Sequence, residues 1–301
     1  MAKWGRRVEL SDKTAVILFG DQHQNHIFGL CPPNFNVSER GTWELNPPQQ
    51  ELWYAWSDCL DWMNKVTSGY RRVGISVGDA IENDSKIRNQ SELISLKPSD
   101  ALSLANTTLD PLVQTLDHFF VVKGTAAHVG EAAWTEDKLA EDLGAVPDEE
   151  MNSPAWRHLV AEFSGVKFDV AHHPAGNSNI TRNYFSVASR LAYDVMEAYM
   201  MKWEEEPPHY AIRGHLHRFA DSGIGMRTRG VILPGFQYKT YYLSRIGKDG
   251  DMPDVGMVVV LCDNGQSELL EHRVRPQNRR KVWSVQKSQK RSWKDLLKIK
   301  S

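Results

Sequence analysis

The chain has 301 residues, 41% hydrophobic and 25% charged, as expected of a soluble globular protein with a sizeable core. Its net charge of −2 hides an asymmetry: residues 273–301 carry eleven Lys or Arg and one acid, Asp295, leaving 25 bases and 37 acids in the preceding body. With no apolar run near the roughly 18 residues of a membrane span, no signal segment after the basic start, and only Cys31, Cys59 and Cys262, membrane and disulfide-scaffold classes are excluded. A cytoplasmic protein with reduced thiols is expected.

Thr14–Gly20 predicts a first strand, and the chain leaves it through Gly20-Asp21-Gln22-His23. Residues 24–46 read as a long polar insertion, a candidate lid or substrate wall because loops above about 12–15 residues are usually functional or disordered. A helix is predicted over about 47–66. Pro47 and Pro48 suit its first turn, and Leu52, Trp53, Trp56, Leu60 and Met63 recur at helical spacing as core residues. The second strand, Arg72–Val77, leads into Gly78-Asp79 and a second polar loop, 80–97, with Glu82, Asn83, Asp84 and Lys86. A helix over about 98–117 precedes the third strand, Phe119–Val122, which runs into Gly124-Thr125-Ala126-Ala127-His128.

Thr135-Glu136-Asp137-Lys138 reads as the capped start of a helix over about 135–143. Strands from about 158 to 171 lead to His172-His173-Pro174, and a helix over about 181–205 follows. Strand Tyr210–Arg213 feeds Gly214-His215-Leu216-His217. Segments 226–243 and 255–272 read as strands, with turns at 247–250 and at Asp263-Asn264-Gly265. Strands alternating with helices, then a β-rich end, predict two packed sheets with helices outside.

Five strands therefore end in Asp or His, and in open α/β sheets the carboxyl edge is where ligands bind. These are ligand types for Mn, Zn, Fe, Co or Ni. Asp21 and His23, two apart, would share a face if extended, as would His215 and His217. Asp79 has a second carboxylate oxygen with which to bridge two ions.

The motif order, over roughly residues 14–220, resembles the calcineurin-like metallophosphoesterases, whose pattern is DxH, GD, GNH followed by an acid, H, and GHxH. It is similar to the small stand-alone members often carried by phages. The resemblance implies an α/β fold: a four-layer αββα sandwich of two mixed β-sheets flanked by helices, spanning 1–272, with 273–301 as a basic C-terminal tail. It implies two divalent cations, one held by Asp21, His23, Asp79 and His217 and the other by Asp79, His172 and His215. It also implies phosphoester hydrolysis by a water activated between them.

The third motif departs from the pattern: Gly124 is followed by Thr125, Ala126 and Ala127, His128 is followed by Val129 rather than an acid, and the expected Asn has no obvious counterpart. His128 has three readings left open. It can contact the phosphate and protonate the leaving oxygen as the catalytic residue, it can itself be the missing ligand, or Asn83 can substitute as that ligand. His173 is a further candidate for a ligand or its support. Arg182, with Asn177 and Asn179, reads either as a phosphate contact or as a helix cap, and Glu131 reads as a solvent-exposed residue rather than as a partner that orients His128. His26, His118, His158, His209 and His272 read as surface or packing residues.

Two function classes follow. One is a phosphoesterase acting on a diester or monoester, with nucleic acid or a nucleotide as candidate substrate. The other is a non-catalytic metal-binding scaffold or nucleic-acid-binding module of the same fold. The tail reads either as a solvated or self-docking segment or as a polyanion contact.

Overall fold

The computed structural model describes residues 13–83, 90–129, 133–174, 184–203, 205–240 and 252–275. In chain order the elements begin with β1 (Thr14–Phe19), β2 (Phe35–Val37), β3 (Gly41–Trp43), α1 (Pro47–Val66) and β4 (Arg71–Val77). There follow α2 (Pro98–Val113), β5 (His118–Val122), α3 (Ala126–Val129), α4 (Trp134–Asp142), β6 (Leu159–Phe163) and β7 (Val166–Val170). The last are α5 (Tyr184–Glu197), β8 (Tyr210–Arg213), β9 (Ala220–Asp221), β10 (Arg229–Ile232), β11 (Val255–Asp263) and β12 (Gln266–Val274).

Two five-stranded mixed sheets result, in the orders β12-β11-β1-β4-β5 and β6-β7-β8-β10-β9. In the first, β1, β4 and β5 run parallel and β11 joins β1 antiparallel. In the second, β7, β8 and β10 are parallel, with antiparallel strands at both edges. All the parallel strands but β10 are the apolar runs that precede the motifs. A strand buried on both faces needs no polar alternation.

β1 shows how that burial divides. Ala15, Ile17 and Phe19 pack with Leu52, Trp56 and Met63 of α1 and Ala105 and Leu109 of α2. Val16 and Leu18 point the other way, into a cluster with Phe168, Val170, Ile212 and Val231 of the second sheet. A third cluster seats Ala188, Leu191 and Val195 of α5 against Ala211 and Ile232.

α1 starts where the prolines place it. Asn46 caps it by accepting from Gln49 N, and the Gln49 side chain accepts in return from Asn46 N. Such a cap contributes about 1 kcal/mol. α2 ends four residues earlier than expected. Pro111 has no N–H to give the preceding turn, and Thr115 Oγ1 takes the Leu112 carbonyl at 2.7 Å. The expected cap of α4 is also corrected. Ala133 occupies the cap in a left-handed conformation, and Thr135 Oγ1 instead donates to Val129 O at 2.7 Å.

The described parts of both long inter-motif segments are more buried than their polar composition predicts. Cys31, Phe35, Val37, Ile94 and Leu104 form a small buried core of their own. Gln24, Asn25 and His26 are buried beneath it. The turn at Asp263-Asn264-Gly265 is present, with Asn264 and Gly265 left-handed, whereas 247–250 lies outside the described residues. Among the described residues no helix is long and apolar enough to cross a membrane.

Candidate metal centre

The carboxyl ends of β1, β4, β5, β7 and β8 meet at one edge, tied together by backbone bonds. Asp21 N donates to Gly78 O and His23 N to Asp79 O, each at 2.9 Å. Gly214 N donates to His172 O at 2.9 Å, and His215 N donates to the Asp21 carboxylate at 2.9 Å. These bonds bring Asp21, His23, Asp79, His128, His172, His173, His215 and His217 together in overlapping groups. Asp21, His23, Asp79 and His172 are almost fully buried.

The backbone that presents them is not extended, which corrects the expected geometry of the two i, i+2 pairs. Asp21, His23, Asp79, His215 and His217 all have positive φ, between 42° and 73°. Such conformations cost of order 1–3 kcal/mol each in non-glycine residues and concentrate at functional sites. Glycine is required where the turns touch. A Cβ on Gly78 would lie 2.6 Å from His172 Nδ1, and one on Gly124 would overlap the Asp79 carboxylate.

The hydrogen bonds fix which ring nitrogens carry protons. His172 Nδ1 lies 2.7 Å from Val77 O, an acceptor only, so Nδ1 must donate. Its Nε2 then faces Asp79 Oδ2 at 3.0 Å but is not aligned for a hydrogen bond. His23 Nδ1 donates to Glu82 at 2.9 Å, which leaves Nε2 directed at His217 Nε2, 3.2 Å away. His217 Nε2 can meet that lone pair as an N–H donor, or both nitrogens can turn their lone pairs to a shared cation. This donor set fits divalent cations.

Charges follow the same logic. Burial raises the Asp79 carboxyl, but the nearby His172 imidazolium outweighs it and holds the group well below the carboxylate range. Burial likewise works against Asp21, and His217 brings it down. Burial lowers His172 less than Asp79 raises it, leaving its pKa at about 10. Burial lowers His23 despite Glu82. Burial and then His172 push His215 down to about 4 and lower His173.

Three residues escaped the sequence reading. Glu82, noted only as a polar loop residue, is buried and accepts from both His23 Nδ1 and His128 Nδ1, at 2.9 Å each. Burial opposes its charge, but these two imidazoles bring it to about 2. The pair lifts His128, against burial, to about 9. Glu82 thus supports the His128 ring, a part the sequence offered only to Glu131, which lies outside the described residues. The available signal was an acid three residues after a strand-terminal Asp.

Glu136 of α4 is the second. It is fully buried and accepts from Gly124 N at 2.6 Å and Ala80 N at 3.2 Å. Burial and Asp79 raise it to about 7. Thr125 is the third: its N–H donates to Asp79 Oδ1 at 2.6 Å and its hydroxyl to Oδ2 at 3.1 Å. Asn83 donates its backbone N–H to His128 O at 2.6 Å, anchoring that turn. Asn177, Asn179 and Arg182 lie outside the described residues.

The remaining histidines lie outside this cluster. His26 is buried on Glu92, His158 pairs with Asp169, and His272 pairs with Asp58 and stacks on Trp62. His209 Nδ1 accepts from Lys167 N, and His118 is exposed.

No protein-family model matches the sequence, and no curated protein matches it. Solved structures do share similarity at low identity. A dimetal phosphatase from Danio rerio is 10% identical, with TM-score 0.45, over 86% of this chain and 96% of that one. A conserved protein of Streptococcus pneumoniae, described as a predicted phosphoesterase, is 12% identical, with TM-score 0.35, over 86% and 98%. Vacuolar Protein Sorting 29 from Cryptosporidium parvum is 10% identical, with TM-score 0.38, over 87% and 98%.

Proposed function

We propose that the chain is a metal-dependent phosphoesterase of the calcineurin-like type, with two divalent cations at the shared strand edge. One would be held by Asp21, His23, Asp79 and His217, the other by Asp79, His172 and His215, with Mn, Zn, Fe, Co and Ni as candidates. The observation that carries this reading is the His172–Asp79 pair. A ring nitrogen whose tautomer is set by Val77 O faces a buried carboxylate oxygen at 3.0 Å without a hydrogen-bond alignment. The same reading includes the four-layer αββα order, supported by the three core clusters on either side of and between the sheets.

When bound, such cations neutralise phosphate charge and acidify water. The chain supplies the rest. Asp21 and Asp79 bring two negative charges to the site, and neutral His23 and His215 bring lone pairs. Glu82 holds the His128 ring by Nδ1, which leaves Nε2 to bond a phosphoryl oxygen and to protonate the departing oxygen. A phosphodiester is the favoured substrate class, with nucleic acid or nucleotides as its source and a monoester as the other member.

The test is hydrolysis of a chromogenic phosphodiester and its monoester counterpart, with Mn²⁺ or Zn²⁺ added to the chelated protein. Metal-dependent turnover, faster on the diester and abolished in Asp79→Asn, is expected. Asp79→Asn should also bind less metal at both positions, since one carboxylate serves both. Stoichiometric metal binding with no turnover on either ester would favour the scaffold reading instead.

A further inference from the structure

The third motif lacks the asparagine that the resemblance expects, and the neighbourhood of its threonine is unusual. Thr125 Oγ1 donates its single proton to Asp79 Oδ2 at 3.1 Å. The same oxygen has His173 Nε2 at 3.1 Å and His215 Nδ1 at 3.4 Å. The oxygen keeps two lone pairs that imidazole N–H groups can fill, so this hydroxyl ties both rings to the Asp79 carboxylate. The rings of His172, His173 and His215 pack mutually, with centroids 4.8, 5.2 and 4.5 Å apart. One ring nitrogen from each lies within 4.8 Å of the others. Three imidazoles in a triangle of that size, with a carboxylate on one side, match the ligand spacing of a single transition-metal ion.

We infer that His173 is a ligand of the second cation, taking the position the absent asparagine leaves, and that Thr125 orients this site through its bond to Asp79. The second site then presents three imidazoles and one shared carboxylate. The first presents Asp21, His23 and His217 with the same carboxylate. Nitrogen-rich sets of this kind suit Zn, Co or Ni better than Mn, which takes oxygen ligands more readily. The two positions are therefore chemically unequal, and His173 sets the inequality. The inference rests on the two-cation reading above.

Titrating the chelated full-length chain with Zn²⁺ and with Mn²⁺, by calorimetry and native mass spectrometry, tests it. The wild type should bind two Zn²⁺. His173→Ala should keep one tight Zn²⁺ and lose at least tenfold in affinity for the other, with a smaller loss for Mn²⁺. His173 is exposed, so an unchanged thermal midpoint of the metal-free variant is expected and separates ligand loss from unfolding. Thr125→Val, which keeps the shape and removes the hydroxyl, should weaken the same equivalent. In the Co²⁺ derivative the visible spectrum of the second equivalent should change in His173→Ala. Two Zn²⁺ bound by His173→Ala with wild-type affinities overturn the inference and leave the two-cation reading intact. A wild type that binds only one Zn²⁺ or none overturns that reading itself.

Discussion

His172 has its proton inventory set by two neighbours. Val77 O claims Nδ1–H, and Asp79 holds a second proton on the ring up to about pH 10 in the cation-free protein. A free histidine loses that proton near 6.5. The protonated ring therefore stabilises the cation-free fold fully below about pH 6.5, and that contribution is lost as pH rises through about 10. A cation must displace the proton, so metal binding releases it. Apparent affinity for Zn²⁺ should keep rising from pH 7 to 9, with proton release at pH 8 seen as a buffer-dependent calorimetric heat. An affinity that levels off by pH 7.5 would count against this pairing. His128 has Glu82 behind it, which suits the acid–base role among its open readings. His128→Ala should lower turnover about 10²–10⁴-fold, the range for a positioned acid–base group, while both cations stay bound. If one cation is lost instead, His128 is a ligand, the alternative its sequence context leaves open.

At the scale of elements, the first turn of α4 acts as a clamp on the β5 motif. Glu136 takes Gly124 N and Ala80 N on its two oxygens, while Asp137 pairs with Lys123 at 2.7 Å. Glu136→Gln would set an amide NH₂ against one of those N–H groups. Leaving a buried donor unpaired costs about 1–3 kcal/mol. A lower thermal midpoint and weaker metal binding are expected, with kcat falling more than KM rises. Full activity and stability would show that the clamp is dispensable. Nothing in the sequence singled out Glu136, because its partners are backbone groups 12 and 56 residues away. The strands β1, β4, β5, β7 and β8 were legible because each is a short β-branched run closed by a polar motif. α1 was legible because Pro47, Pro48 and the helical spacing of Leu52, Trp53, Trp56, Leu60 and Met63 agree. What stayed hidden depended on tertiary contacts: the buried packing of residues 24–37, the left-handed backbone at five of the six candidate ligands, and the Glu82 bridge between His23 and His128.

For the whole molecule, charge is the feature that separates its parts. The last described strand, β12, ends at Val274, so truncation after Gln277 removes most of the basic segment and keeps both sheets. Residues 279–300 carry Arg279, Arg280, Lys281 and further bases, interleaved with Trp283, Trp293, Leu296, Leu297 and Ile299. Those residues lie outside the described ones. A body with 25 bases and 37 acids attracts its own tail at low salt, and that attraction fades as the Debye length shrinks to about 8 Å near 0.15 M salt. Apolar side chains at 293, 296 and 297 share one face if the segment is helical, which favours attachment to the body over a free polyanion contact. The truncated protein should therefore melt at a lower temperature than the full chain at low salt, and the gap should narrow as salt is added. Both forms should hydrolyse a small diester at the same rate, because every candidate ligand precedes residue 218. Filter binding with single-stranded and duplex DNA should show no affinity difference between them. A full-length chain that binds DNA tightly and salt-sensitively, with that binding lost on truncation, would reassign the tail. Counterion release from phosphates would then explain the salt slope, and the two tryptophans would be candidates for stacking on bases.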